Sequence, residues 1–176
     1  MEIPTLSLFS GVGGFELGLE LAGVPCKTVL YGEINEFAKS VIRARVKDGA
    51  GMHDAPIVDV RDIARSGRAF RGKIGLLHGG FPCTSFSSNG LREQGDSSLN
   101  LWPLTLDCIS GVEPSYVLLE NVRGLAVGSS GRACYAATIV GQLADHGYSC
   151  RWTVIPAPYA NHRRQRFLLL AHRNDR

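Results

Sequence analysis

The sequence lacks several features that define particular classes of protein. No apolar run in its 176 residues approaches the roughly 18 that a membrane-spanning helix needs, so no membrane span is predicted. The first residues do not combine a basic segment with an apolar one, which argues against a secretory signal peptide. We also find no internal repeat, low-complexity block or linker-like segment. These absences predict one domain over residues 1–176.

Cysteine is scarce and irregularly placed. The five cysteines are odd in number, widely spaced and never arranged as Cys-x-x-Cys. This spacing disfavours both a disulfide framework and a zinc ribbon. We therefore predict no metal site and a location in a reducing cytoplasm.

Charge is modest, because charged residues make up only 20% of the chain and the formal net charge is +3. Such a balance is compatible with nucleic-acid binding but does not argue for it. The positive charge is unevenly placed, with a cluster at Arg163, Arg164, Arg166, Arg173 and Arg176.

Short apolar segments alternate with segments of helical period. Strands are predicted at 5–9, 28–31, 56–60, 74–78, 116–119, 152–155 and 167–171. Helices are predicted from Phe15, from the N-cap Asn35, from Pro103 to about Val112, and over 132–146. The buried faces of the first two are predicted at Phe15, Gly18, Leu19, Ala22, Phe37, Ala38, Val41 and Ile42. Repeated strand–helix units predict an α/β fold, a doubly wound domain with a parallel sheet that helices cover on both faces.

A cysteine lies between a predicted buried strand and a long polar segment. Cys83 ends the run Gly79-Gly80-Phe81-Pro82-Cys83, and residues 84–101 are rich in serine, glycine and asparagine. Parallel sheets bind ligands at the carboxyl ends of their strands, so a thiol here is placed to act as a nucleophile. The alternative is a buried structural cysteine beside a turn.

A glycine-rich turn follows the first predicted strand, at Phe9, Ser10, Gly11, Val12, Gly13 and Gly14. Glycine lets the backbone approach a ligand closely, and the following helix N-terminus favours polar or anionic groups. A dinucleotide fingerprint would place a third glycine at position 16, where this chain has Glu16, so an NAD site is disfavoured. A plain strand-to-helix turn remains the alternative.

Two acidic side chains follow the second and third predicted strands. Glu33 is placed to accept hydrogen bonds from ribose hydroxyls, and Asp59 from an exocyclic amine. Each alone is more often a helix cap or a solvated turn residue. Together with the glycine turn, they fit an adenosine ligand lying across the first strands.

The later strands carry a second polar set. Glu120 follows the apolar run 116–119, where burial would raise its pKa as a general acid requires, and Asn121 could shape the turn by bonding to local backbone. Arg164 and Arg166 alternate before the last strand, so both side chains share one face and could hold a carbonyl or a phosphate. A loop cap and a solvated basic surface are the alternatives.

These motifs, in this order, resemble those of the cytosine-C5 DNA methyltransferases. The matching segments are 6–14 for the cofactor motif, Gly80–Cys83 for the nucleophile motif, Glu120–Val122 for the Glu-Asn-Val motif and His162–Arg166 for the Gln-x-Arg-x-Arg motif. The likeness extends from Thr5 to Ala171. Two supporting positions depart from the pattern, with Thr84 in place of glutamine and His162 in place of glutamine.

The resemblance implies transfer of a methyl group from S-adenosyl-L-methionine to C5 of cytosine in DNA. It also implies the fold of S-adenosylmethionine-dependent methyltransferases, an α/β fold with a Rossmann-like doubly wound sheet that is mostly parallel with a late antiparallel strand. The catalytic residues would be Cys83, which adds to C6, Glu120, which contacts N3 and the exocyclic amine, and Arg164 and Arg166, which hold O2. The cofactor would be bound by Phe9, Ser10, Gly11, Gly13, Gly14, Glu33, Ile34, Asp59, Val60, Pro82 and Leu101. The target base would be flipped out of the duplex, and the segment 84–100 would close over it.

Members of this family normally continue with a target-recognition region and two further motifs that these residues do not match. Three interpretations follow: the catalytic subunit of a split enzyme, a minimal methyltransferase with weak sequence choice, or a non-catalytic module that binds S-adenosylmethionine or nucleic acid. The expected partners are double-stranded DNA containing cytosine and, for a split enzyme, a second chain. Transfer to RNA or a free nucleotide is a weaker alternative. The expected setting is a bacterial or phage-infected cell, as a restriction companion, a phage defence or a regulatory methylase.

Overall fold

Strands and helices alternate along the chain, as the hydrophobic periodicity predicts. The computed structural model describes residues 1–49, 51–83, 100–127, 134–156 and 164–174. Its strands are β1 (Ile3–Leu8), β2 (Cys26–Gly32), β3 (Ile57–Val58), β4 (Leu76–Gly79), β5 (Tyr116–Val122), β6 (Tyr148–Pro156) and β7 (Gln165–Arg173). Its helices are α1 (Gly14–Leu21), α2 (Glu36–Asp48), α3 (Val60–Ser66), α4 (Trp102–Val112) and α5 (Tyr135–Asp145).

The strands form one seven-stranded sheet in the order β3-β2-β1-β4-β5-β7-β6. The pairs among β3, β2, β1, β4 and β5 are parallel, whereas β7 is antiparallel to both β5 and β6. The predicted doubly wound sheet with a late antiparallel strand is confirmed. The chain winds outward from β1 to β3 and then returns to β4 beside β1. Ligands bind at the strand ends where the winding direction changes in this way.

The main core lies on the face of the sheet that α3, α4 and α5 cover. Leu77 and Leu119 of the central strands are buried against residues such as Ile63, Ile109 and Ile139 from these helices. α3 and α4 approach closely because glycines meet at their contact, and a β-carbon on Gly67 would stand 3.3 Å from the backbone of Gly111. Tight packing here fixes the helices whose N-termini flank the carboxyl ends of the strands.

The third predicted strand is shorter than expected. Only Ile57 and Val58 are paired, because the chain turns into α3 at the next residue. Asp59 caps this helix by accepting a hydrogen bond of 2.8 Å from the backbone N–H of Arg61. The prediction of strand over 56–60 was therefore wrong at its end, and α3 was not predicted.

The predicted helix faces are partly wrong. Phe37 is 74% exposed and Ala22 is exposed, whereas Glu16 is buried on α1. The reason for the last difference is that α1 lies over buried polar side chains of the sheet, including Ser7 and His78, rather than over an apolar surface.

Helix ends and covalent features agree with the sequence. Asn35 caps α2 by accepting a 3.0 Å hydrogen bond from the N–H of Ala38, and Gly147 follows α5 with a φ of 84°. All five cysteines fall within the described ranges and are thiols rather than disulfides. In those ranges every helix is too short or too polar to cross a membrane.

Candidate active site

The residues predicted for the site lie at the end of the sheet that holds the carboxyl ends of the parallel strands. The turn after β1 holds Phe9, Ser10, Gly11 and Gly13, the turn after β2 holds Glu33 and Ile34, and Pro82 and Cys83 follow β4. Glu120 lies within β5, near its carboxyl end, and Arg166 lies at the amino end of β7. Because β7 is antiparallel to β5, its first residues pair with the last residues of β5, and Val122 is opposite Arg166. The predicted strand 116–119 is thus shorter than β5, which includes Glu120.

Glu120 and Arg166 form an ion pair between Oε1 and Nε. The two side chains are 30% and 20% exposed, so the pair is partly screened from solvent. Glu120 Oε2 lies 3.0 Å from the point where a β-carbon on Gly80 would stand, which places this carboxyl group beside the segment that carries Cys83. Glycine at position 80 therefore leaves the space that the carboxyl group occupies.

Burial raises the pKa of Glu120, and the positive charge of Arg164 opposes that rise. The carboxyl group consequently holds its proton at a higher pH than an exposed glutamate does. The rise that strand-end burial predicts is confirmed. Arg164 itself is exposed and precedes β7, so it acts on Glu120 through its charge.

Asn121 ties β5 to the cysteine segment. Its buried amide donates a 2.9 Å hydrogen bond from Nδ2 to the carbonyl of Phe81, and its Oδ1 accepts a 2.8 Å bond from the N–H of Val122. The local bond was expected, and the bond to Phe81 was not. This pair of bonds fixes Cys83 relative to Glu120 through two rigid strand ends.

Cys83 is 6% exposed and pairs with Asn100 in an isolated antiparallel bridge. Its Sγ lies 3.8 Å from Oδ1 of Asn100. Next to this bridge, the N–H of Leu101 donates to the carbonyl of Pro82 over 3.2 Å. The segment before α4 thus supports the backbone on both sides of the Pro82–Cys83 peptide.

The glycine turn closes against β2. Phe9, Gly11 and Gly13 have positive φ angles of 50°, 55° and 80°, and the N–H of Ser10 donates to the carbonyl of Gly32 over 3.1 Å. The φ angle of Gly13 favours glycine, and a β-carbon there would stand 2.6 Å from Sδ of Met52, so the end of that flexible side chain would have to move.

Glu33 links the turns after β1 and β2. Its Oε2 accepts a 2.8 Å hydrogen bond from the N–H of Gly11, and its Oε1 accepts from the N–H groups of Ile34 and Asn35 over 2.8 and 2.7 Å. Beside it the apolar side chains of Val12 and Ile34 are 47% and 62% exposed. An acceptor next to exposed apolar surface fits a nucleoside, whose ribose is polar and whose base is flat and apolar on its faces.

Asp59 stands apart from the rest of the set. Both of its carboxylate oxygens accept hydrogen bonds from Arg61, whose guanidinium lowers the pKa of Asp59. It follows β3, at the edge of the sheet, whereas Cys83 follows β4. Val60 is buried in the first turn of α3, Gly14 is the first residue of α1, and Leu101 precedes α4.

Sequence reasoning missed two residues that contact the site. Asn100 lies in a polar segment without period, and Tyr135, whose hydroxyl accepts from Asn100 Nδ2 over 2.7 Å, is 35 positions further along. Neither position carries a local signal. Residues 84–99, which include Thr84 and most of the predicted closing segment, lie outside the described residues, as do His162 and Arg163.

Known proteins are similar to this chain in sequence and in fold. The profile of the family described as C-5 cytosine-specific DNA methylase matches residues 3–176. The type II methyltransferase M.Eco47II of Escherichia coli is 34% identical over 97% of this chain and 39% of its own length. M.NgoMIV of Neisseria gonorrhoeae is 32% identical over 99% of this chain and 53% of its own length.

Solved structures agree on the fold. The Dnmt2 methyltransferase of S. pombe superimposes with a TM-score of 0.71 over 100% of this chain and 51% of its own, at 22% sequence identity. The chain spans from 32% to 53% of the length of the curated relatives that it matches. Because the family profile covers nearly every residue, the chain belongs to the C-5 cytosine-specific DNA methylase family.

Proposed function

We propose that this chain transfers a methyl group from S-adenosylmethionine to C5 of a cytosine in DNA, through a covalent bond between Cys83 and C6. One observation carries the proposal: the Glu120–Arg166 pair lies beside Gly80, three residues before Cys83. A thiol, a carboxyl group with a raised pKa and a guanidinium at one strand edge provide a nucleophile, an acid and an anion holder.

The roles follow from the reactivity of cytosine. C5 is a poor nucleophile until a thiolate adds at C6, which moves an electron pair of the ring toward C5 and N3. Cys83 supplies the thiolate. Glu120 in its protonated form donates at N3 as that addition proceeds, and burial, which raises its pKa, makes this form more accessible than it is for an exposed glutamate.

Arg166 holds O2 of the ring, with the charge of Arg164 close by. A guanidinium presents several donors in a fixed plane, which suits an oxygen that gains negative charge during the addition. When bound, S-adenosylmethionine supplies an electrophilic methyl group. Loss of the C5 proton and departure of the Cys83 thiolate then restore the aromatic ring.

The cofactor would lie across the turns after β1 and β2. The proposal assigns the ribose to Glu33, one face of the adenine to Ile34, and the methionine part to the backbone of the glycine turn. Val60, Pro82 and Leu101 would complete the pocket. Asp59 would contact the adenine amine only by giving up an oxygen that now bonds Arg61.

We propose that the DNA sequence is selected by residues other than the catalytic and cofactor-binding residues named above. The relatives are roughly two to three times as long as the part that matches. A second chain that supplies recognition remains part of the proposal, as does a chain that methylates DNA with weak sequence choice.

Tritium transfer from labelled S-adenosylmethionine to cytosine-containing DNA tests the activity. The wild-type chain should transfer label, Cys83→Ser should lose at least a hundredfold in rate, and Cys26→Ser, a half-buried cysteine away from the site, should match the wild type. DNA carrying 5-fluorocytosine should trap a covalent complex with the wild type only, because fluorine cannot leave C5 as the proton does.

Absence of transfer with cofactor binding intact, both with and without the products of neighbouring open reading frames, would contradict the proposal and favour a non-catalytic module that binds S-adenosylmethionine. Equal activity of Cys83→Ser and wild type would show that the nucleophile lies elsewhere. RNA and free cytidine nucleotides in the same assay separate the DNA substrate from the alternatives.

A further inference from the structure

A chain of hydrogen bonds runs from α5 to the proposed nucleophile. The Asn100 side chain donates from Nδ2 to the hydroxyl of Tyr135 over 2.7 Å, while its Oδ1 lies 3.8 Å from Sγ of Cys83. Asn100 is 8% exposed, so its amide is held by protein groups in a site largely closed to solvent. Tyr135 is the first residue of α5, and Asn100 immediately precedes the segment that begins α4.

The orientation of the Asn100 amide is fixed by its neighbours. The backbone N–H of Trp102 donates to Oδ1 over 3.1 Å, and an N–H group can only donate. Rotating the amide by half a turn would place the NH₂ group against this N–H and lose the bond. The oxygen must therefore face Trp102 and Cys83, and the nitrogen must face Tyr135.

An amide oxygen beside a thiol treats its two protonation states differently. It accepts a hydrogen bond from S–H, but it presents the negative end of its dipole to a thiolate. In a buried site this difference is larger than in water, because the surroundings screen it less. The contact thus favours the neutral thiol and fixes the direction of its S–H bond.

We propose that Asn100 is a positioning residue that holds Cys83 as an oriented thiol before substrate arrives, and that Tyr135 fixes the orientation of Asn100. This inference rests on the proposed function for the meaning of Cys83, but its chemistry concerns the protein alone. Cys83 and Asn100 bracket residues 84–99, so the contact also joins the two ends of that segment. The proposal therefore assigns control of the Cys83 thiol to Asn100, the residue that follows this segment.

The test is the pH profile of Cys83 alkylation by iodoacetamide, followed on the Cys83 peptide by mass spectrometry with the full chain. The thiolate reacts and the thiol does not, so the midpoint of the profile reports the proton on sulfur. Asn100→Ala should lower the midpoint and speed the reaction at pH 7 about fivefold. Asn100→Asp should raise the midpoint and slow the reaction, because a carboxylate opposes the thiolate.

Tyr135→Phe should shift the midpoint in the same direction as Asn100→Ala but by less, since Trp102 still orients the amide. Tyr116→Phe, at an exposed tyrosine on β5, and the Cys26 peptide of every variant are matched controls that should not change. Simple loosening of the site would change the plateau rate of all variants in one direction and leave the midpoints in place.

Shifts of equal sign in Asn100→Ala and Asn100→Asp, or no shift in either, would overturn the proposal. If Asn100→Ala does not fold, the midpoint shifts of Asn100→Asp and Tyr135→Phe still test the proposal. The pH profile is measured without DNA or S-adenosylmethionine, so it tests the role of Asn100 even if methyl transfer is absent. Where transfer is present, Asn100→Asp should lower kcat and leave cofactor affinity unchanged.

Discussion

At the scale of single residues, the site depends on where side chains are missing as much as on where they are present. Glu120 Oε2 occupies the space that a side chain at position 80 would fill, and Asn121 then bonds the carbonyl of Phe81. The space at Gly80 and the hydrogen bond from Asn121 thus involve neighbouring residues of one short stretch of backbone. The carboxyl group and the thiol are consequently held by the same stretch.

We expect Gly80→Ala to displace the Glu120 carboxyl group and to lower the rate of methyl transfer at least tenfold. The added β-carbon would stand 3.0 Å from Oε2, closer than ordinary contact allows, so the carboxyl group must move. The assay is single-turnover tritium transfer, together with binding of S-adenosylmethionine measured by calorimetry, which should change little.

Gly141→Ala is the matched control, because a β-carbon there, within α5, would have no neighbour within 4 Å. Alanine in the interior of a helix should raise the free energy of unfolding by about 0.5–1 kcal/mol and leave the rate unchanged. A Gly80→Ala protein with wild-type transfer would contradict the placement of Glu120.

At the scale of elements, α1 meets the sheet through polar groups rather than apolar ones. Oε1 of Glu16 lies 3.7 Å from Nε2 of His78, and both side chains are buried. Burial lowers the pKa of His78 to about 3 and raises the pKa of Glu16. The contact at neutral pH therefore involves an uncharged ring rather than an ion pair.

This pair stands against a cavity of about 320 Å³ that Glu20, Thr28 and His53 also line. Among the described residues, neither the Glu16 carboxyl oxygens nor the His78 ring nitrogens have a hydrogen-bond partner in protein. Because α1 begins at the glycine turn, the protonation of this pair bears on the helix that supports the turn proposed to bind the cofactor.

His78 and Glu16 should give the stability of the protein opposite dependences on pH. Protonation of His78 is disfavoured in the folded chain, so stability is lost as the pH falls from 6.5 toward 3. The folded chain retains the Glu16 proton more strongly than the unfolded chain, so stability is lost as the pH rises above 4.5. Glu16→Gln should thus stabilise the protein at pH 8 by about 1–3 kcal/mol and have little effect at pH 4.

Urea denaturation of wild type and Glu16→Gln at pH 4, 6 and 8 measures this difference. Glu20→Gln, which changes an exposed carboxyl group on the same helix, is the control and should show no such dependence on pH. A stabilisation that is equal at all three values would show that the Glu16 carboxyl group does not titrate as described.

At the scale of the whole molecule, the positions of most strands and the strand-end residues followed from the sequence because their signals are local. A run of apolar residues predicts each strand, and the rule that parallel strands bind ligands at their carboxyl ends places Cys83, Glu33 and Glu120 together. The alternative that Asp59 is a helix cap proved correct, and Asp62, three positions later, fits the pattern of a helix start.

The remaining features could not be predicted because they depend on pairings across the chain. Asn100 contacts residues 17 and 35 positions away, and no single segment contains that relation. His78 sits within an apolar run that predicts a buried strand, but only the packed structure shows that Glu16 covers it. The exposure of Phe37 could not be predicted for the same reason, because helical periodicity does not indicate which element packs against the helix.

We propose that residues 1–176 unfold as one domain. The two tryptophans report on different parts of the fold, since Trp102 lies in α4 and Trp152 in β6. Trp102 is 1% exposed at the start of α4 and donates from Nε1 to Gln142 over 2.6 Å. Trp152 is 55% exposed on the edge strand β6 and lies 5.9 Å from the ring of Phe167. A single cooperative sheet should give the same unfolding midpoint at both places.

Trp152→Phe leaves Trp102 as the only reporter, and Trp102→Phe leaves Trp152. Urea unfolding of each variant should give coincident midpoints for tryptophan emission and far-UV circular dichroism, although the midpoint of Trp102→Phe should be lower because the bond to Gln142 is lost. The comparison is made within each variant, so this loss does not affect it. An earlier transition of Trp152 emission than of circular dichroism would mean that β6 and β7 unfold apart from the parallel strands. That result would separate Arg166 from Glu120 and divide the site between two folding units.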